Sequence, residues 1–197
     1  MNRITSGLTA LLLASGPALA QPAPGTDAAA AAALQRAQAF IASSNCPSAA
    51  ARPAAPPTQF QDATVREASY HHILVEGCGR RMQRNYLALV LPDGSGRMVE
   101  TLPGTTVTDP VLQRDAMQLA VAAARTAAPN CQQVRPQSAD FDGPDSEPTA
   151  PRRTRPWAEA WVFEACGALL SVPMRFSPSS RGGTDFSAGT SGVRRLN

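Results

Sequence analysis

The sequence contains no lysine: all 18 of its basic residues are arginine. Against 15 acids the formal net charge is only +3, and charged residues make up 17% of the chain. So small an excess excludes the basic footprint of a nucleic-acid binder as a first reading and provides no steering field. Abundant Ala, Pro and Gly beside an Arg-only cation set match a GC-rich bacterial coding bias, and no function is read into it. No apolar run reaches the length of a membrane-spanning helix, so no transmembrane segment is expected. No C-x-x-C pair brings cysteines together in the spacing of a zinc site, and no metal is expected. There is no G-x-S-x-G elbow, no P-loop, and no G-x-G-x-x-G after a strand; Gly94-Ser95-Gly96 reads as a hairpin turn. With no recognisable catalytic set, the chain reads as a non-enzyme without a cofactor.

What is present begins with an export signal. Arg3 supplies a positive start, Leu8 to Ala14 a short apolar run, and Ala18-Leu19-Ala20 an A-x-A site with cleavage before Gln21. Residues 1–20 are therefore expected to be a signal peptide. No cysteine follows the cut, which disfavours a lipoprotein. The four cysteines, Cys46, Cys78, Cys131 and Cys166, all lie in the exported part. An even count in an oxidising compartment implies two disulfides, and a periplasmic or secreted location follows.

The 197 residues suit one ordinary domain or two small ones. An internal duplication favours two units. Val75-Glu76-Gly77-Cys78-Gly79 matches Phe163-Glu164-Ala165-Cys166-Gly167, Asn45-Cys46 matches Asn130-Cys131, and Thr26-Asp27 matches Thr108-Asp109. Gly96 and Gly183 follow at similar gaps. Repeat 1 is placed at residues 21–105 and repeat 2 at 106–197.

Each repeat opens with a helix. Thr26 or Asp27 caps a run from Ala28 to about Ser43, with Leu34, Ala37 and Ile41 on one face. Asp109 caps the second, with Pro110 in the first turn, where its missing N–H costs nothing. Leu112, Ala116, Leu119 and Ala123 are expected to form its buried stripe. Pro-rich connectors without periodicity follow, Pro47 to about Arg66 and Gln132 to Pro156, and read as extended loops. Strands are expected at Tyr70–Cys78, Tyr86–Leu91 and Arg97–Leu102, and again at Trp157–Cys166, Leu169–Phe176 and Thr184–Ala188. Pro92 to Gly96 and Pro178 to Gly183 are turns, and Pro173 marks an edge or bulge. The fold expected is α+β: a tandem repeat of a helix plus a three-stranded antiparallel β-meander, one disulfide per repeat. Pairing Cys46–Cys78 and Cys131–Cys166 ties the helix end to the first strand alike in both copies. Closing loops of this length stabilises by about 3.5–4 kcal/mol each in the chain-entropy model.

Candidate sites are few. Trp157, Glu159, Trp161 and Phe163 share one strand face and form an aromatic surface with a carboxylate in its middle. It offers a partner or ligand face; the plainer reading is that its aromatics serve burial. His71 and His72 point to opposite faces of a strand, cannot share a metal without a bulge, and are expected at the surface. Glu76 and Glu164 recur before Cys-Gly and could form an acid/base pair in a small hydrolase, although exposure or pairing with the nearby Arg80, Arg81 and Arg84 is the plainer reading. Arg152, Arg153 and Arg155 form a small basic cluster, read as a solvated loop that could meet an acidic partner or anionic lipid.

The stretch Trp157 to Gly167 resembles a group of small exported proteobacterial proteins with a W-x-E-x-W-x4-C-G strand, an apolar strand and a Gly-rich turn. The resemblance covers part of copy two; copy one departs from it, with Ser69, His71 and Ile73 in place of Trp, Glu and Trp. It implies a periplasmic or envelope location and brings no activity. The function expected is a non-enzymatic periplasmic or secreted binding or structural protein whose partner is an envelope protein or small ligand. The alternative is a secreted inhibitor or immunity-type protein, since stapled helix-plus-sheet repeats resemble the beta-lactamase-inhibitory protein in architecture only.

Overall fold

A computed structural model describes residues 26–60, 63–143 and 155–197. The expected signal peptide and Arg152 and Arg153 lie outside the described residues.

Among the described residues two α-helices, α1 (Thr26–Ser43) and α2 (Pro110–Ala127), accompany ten strands. The cap before α2 forms as its sequence predicts: Asp109 Oδ1 accepts from the N–H groups of Val111 and Leu112 at 3.0 and 2.9 Å. The buried side of α2 is Gln113, Ala116, Ala120, Ala123 and Ala124. Leu119, expected in that stripe, is 40% exposed, and Ala120 takes the inward position one residue on. The stripe is nearly all alanine, so the helix lies close to its sheet and the sheet's large side chains supply the volume. The first helix does the same with Ala29, Ala33 and Ala37 buried and Leu34 and Ile41 at the cluster's edge.

The strands are β1 (Ala50–Pro53), β2 (Thr58–Phe60), β3 (Glu67–Gly77), β4 (Arg80–Val90), β5 (Gly96–Glu100), β6 (Val134–Phe141), β7 (Trp157–Ala165), β8 (Ala168–Pro178), β9 (Thr184–Ala188) and β10 (Arg194–Arg195). They form two antiparallel five-stranded sheets. In the first, β1 and β2 lie end to end along β3, followed by β4 and β5. In the second, β6, β7 and β8 are followed by β9 and β10, which share the outer edge of β8.

Each sheet thus exceeds the three-stranded meander read from the sequence, because the Pro-rich connectors themselves pair and, in the second sheet, β10 adds to β8. Proline cannot donate to a ladder, so it is confined to edges, strand ends and bulges. Pro53 ends the edge strand β1. Pro136 lies in the edge strand β6, where the register on β7 shifts between Pro136 and Ser138. Pro173 pairs with Ala160 in an unbroken β7–β8 register. Its carbonyl accepts from the Gly189 N–H at 2.9 Å on the outer side, where β8 passes from β10 to β9 and no strand needs the missing donor.

The hairpins β3–β4 and β7–β8 turn on Cys78-Gly79 and Cys166-Gly167, all four residues at positive φ. Two central residues at positive φ make the primed hairpin turn that suits strand twist, usually built with Asn-Gly. Here the first central residue is a cysteine, bonded back to the end of the preceding helix: Cys46–Cys78 and Cys131–Cys166 are the two disulfides. Because the turn is so short, β4 begins at Arg80, well before the Tyr86 expected.

Candidate functional site

Eight consecutive residues of β3, Ala68 to Val75, are buried. A strand buried along its length on both sides needs cover on both. On one side Ile73 and Val75 meet Ala33 and Ala37 of α1. On the other lie Tyr70, His72 and the β4 residues Gln83 and Asn85, and the cover there is the segment joining the two sheets. Asn85 Nδ2 donates to the carbonyls of Leu102 at 2.7 Å and Gly104 at 2.9 Å. Gln83 Nε2 donates to the Gly104 carbonyl at 3.0 Å and to Asn85 Oδ1 at 3.0 Å.

The same segment is gripped by the second sheet. Pro103 O accepts from the Ala139 N–H at 2.9 Å. Gly104 has φ of 114°, and a Cβ there would strike the Ala139 carbonyl, so only glycine lets the backbones approach. Beyond it, Glu159 is fully buried and accepts five hydrogen bonds: from Thr106 Oγ1 (2.8 Å), Val107 N (3.0 Å), Thr108 N (3.0 Å), Thr108 Oγ1 (2.5 Å) and Trp161 Nε1 (2.8 Å). No cation is among these partners; oriented dipoles replace the water that the carboxylate loses. Its role is to fix the path of the joining segment into α2.

Between the sheets this leaves a cleft of about 850 Å³. One wall is Thr58, Gln59, Tyr70 and His72; the others are Thr106, Val107 and Asp109, the first turns of α2, and the β8–β9 turn. Asn85 fixes the state of His72. Both hydrogens of its amide go to carbonyls, so Oδ1 faces His72 Nδ1 at 2.7 Å and Nδ1 must carry the proton. Gln83 Nε2 is 3.1 Å from the same Nδ1, but its hydrogens are engaged elsewhere. Nε2 of His72 is then a bare acceptor with no partner among the described residues. Burial lowers the His72 pKa below the usual imidazole range, although the Asn85 bond opposes it. Tyr70 stands edge-on to the imidazole, ring centroids 4.6 Å apart, and its hydroxyl meets Thr101 Oγ1 at 3.0 Å and Gln113 Nε2 at 3.1 Å. Burial pushes its pKa up to about 12.

The residues singled out in the sequence are placed as follows. Trp157, Glu159, Trp161 and Phe163 do share a face, but it is the inner face of the second sheet and all four are buried. Trp157 stacks on Phe176 at 5.1 Å, and the cluster packs against α2. Both histidines are buried instead of lying at the surface, on opposite faces of β3. His71 Nε2 is 2.8 Å from Ser69 Oγ, and burial with the neighbouring His72 lowers its pKa. Glu76 pairs with Arg52 at 3.1 Å and Arg81 at 3.4 Å, while Glu164 accepts from the Gly167 N–H at 2.7 Å. Each serves its own hairpin. The cleft residues Tyr70 and Thr106 and the residues Gln83 and Asn85 behind His72 carried no motif; for the latter two, the polar run Arg80 to Asn85 in an otherwise apolar strand pair was the one available sign.

Among the described residues no group of three or more His, Cys, Asp or Glu is gathered as metal ligands, and no helix is long and apolar enough to cross a membrane. No protein-family model, curated protein or solved structure matches the chain.

Proposed function

We propose that this chain is an exported, non-enzymatic binding protein made of two copies of one unit, a helix and a three-stranded meander stapled by its own disulfide, with its ligand site in the cleft between the copies. Several correspondences support the duplication. The strand after each helix meets the glutamate before the turn cysteine at the same offset, Ala50 opposite Glu76 and Arg135 opposite Glu164. The hairpins close alike, Gly77 with Arg80 and Ala165 with Ala168. Two disulfides and the absence, among the described residues, of a membrane-length helix are compatible with a periplasmic or secreted location.

The observation that carries the binding reading is the unpartnered His72 acceptor in an open cleft of about 850 Å³. Small-molecule sites occupy about 300–1,000 Å³. NMR of the oxidised chain mixed with a small-molecule extract of envelope fractions tests it. Shifts confined to His72, Val107, Leu112 and Phe186 are expected. No shifts, or shifts confined to the far faces of the sheets, would overturn the reading.

A further inference from the structure

We infer that the ligand of this cleft is a small molecule carrying a protonated amine on an apolar body. The inference rests on the cleft being the binding site and names the chemistry the cleft selects.

Every cation of the chain is an arginine, yet among the described residues none lines the cleft. The charged residues lining it among those described are two carboxylates, Asp109 and Asp115. A helix N-terminus faces the cleft and would by itself favour an anion. That preference is cancelled, because Asp109 occupies the cap and takes the Val111 and Leu112 N–H groups. Asp115 meets Arg114 at 3.1 Å in a pair whose side chains are 49% and 70% exposed. Such a pair binds weakly and releases its carboxylate at little cost.

The second determinant is His72, whose Nε2 is an acceptor without a protein donor among the described residues. A ligand N–H can occupy that acceptor in place of water. An anion or carbonyl offers the wrong group. Val107, Val111, Leu112, Pro178 and Phe186 supply apolar wall, so the amine should carry a hydrocarbon or aromatic body.

The experiment uses matched probes on the full oxidised chain: 2-phenylethylamine, 2-phenylethanol and 3-phenylpropionate. Calorimetry measures affinity, and ring signals of 13C-labelled histidine report the site, with His71 identified by His71→Gln. The amine is expected to bind at least tenfold more tightly than either other probe and to move the His72 signals. Asp115→Asn, at the surface and harmless to folding, is expected to weaken it several-fold, and His72→Phe more than tenfold. Equal or tighter binding of the alcohol or acid at His72 would overturn the amine while leaving the cleft reading intact. If none of the three binds but the envelope extract moves the cleft signals, the amine falls alone; if neither acts, both fall.

Discussion

Seven residues before its turn cysteine the second half carries Glu159, and at the corresponding place the first half carries His71. Both are buried on the sheet face toward the helix, at 0% and 3% exposure. Around them the halves diverge. Trp157, Trp161 and Phe163 stand where the first half has Ser69, Ile73 and Val75. The second half therefore has a large aromatic core and spends its buried charge on holding the joining segment. The first has a small core of Ile73, Val75 and Tyr86 against two alanines. It buries polar groups on the far face of the same strand, under the same segment. The second half holds a buried carboxylate, and the first holds an open acceptor beside a cleft. The half with the weaker core is the one that contributes the acceptor.

The sharpest break in this comparison comes from exchanging the two buried groups for glutamine. Glu159→Gln replaces a charged acceptor of five hydrogen bonds with an amide whose own hydrogens face donors. Hydrogen bonds to charged groups contribute about 1.5–3 kcal/mol each, and several are lost together. A loss of about 4 kcal/mol or more is expected in denaturant unfolding, against about 1 kcal/mol for His71→Gln, which forfeits one neutral bond. Equal losses would remove the distinction between the halves.

Next in size are the disulfides. Their loops are 32 and 35 residues, so chain entropy predicts nearly equal costs, about 4 kcal/mol each. The consequences should differ. Cys46→Ala with Cys78→Ala is expected to abolish hydrogen-exchange protection in β1 to β4 while β7 and β8 stay protected. Cys131→Ala with Cys166→Ala should leave β7 and β8 protected by the aromatic core. The opposite pattern would assign the weaker core to the second half.

The smallest effects are in pH. Both tyrosines and both histidines lie in the first half. Tyr70 has its folded pKa raised to about 12. The unfolded chain ionises first, so stability should be lost between pH 10 and about 12, by about 2–3 kcal/mol. Tyr70→Phe should remove most of that limb. The histidines run the other way. Their folded pKa values are lowered, so below about pH 6.5 the unfolded state binds protons first and stability falls with pH. Above that value they should contribute no slope. Urea midpoints across pH would reveal both limbs, and their persistence in Tyr70→Phe and His72→Gln would assign them to other groups.

Much of this architecture could be read from residue order. Asp109-Pro110 marked a helix start, the small-residue stripes marked close packing, and the recurring Cys-Gly with its upstream cysteine led to both disulfides. Three things stayed hidden, each for a physical reason. The edge strands β1, β2 and β6 lie in segments full of proline, which is silent in a ladder and therefore tolerated only where no donor is needed. The hairpin turns were masked because cysteine occupies a position where Asn usually signals positive φ. The candidate site was invisible because Gln83 and Asn85 read as surface polarity in Arg-Arg-Met-Gln-Arg-Asn. Only the return of a distant segment over that face makes them buried donors. Glu159 was visible as a carboxylate among aromatics, but its partners come from fifty residues upstream, and no local pattern announces them.

The double grip on Pro103 and Gly104 bears on where this chain can be divided. Gly104 O serves Gln83 and Asn85 of the first sheet, while Pro103 O serves Ala139 of the second. Neighbouring peptide units thus belong to different halves. A protease cut or a circular permutation at this point would strip acceptors from one half or donors from the carboxylate of the other. Halves joined in this way are not beads on a string: a fragment meant to carry the second alone would have to start before Pro103, and a fragment meant to carry the first would have to end after Gly104.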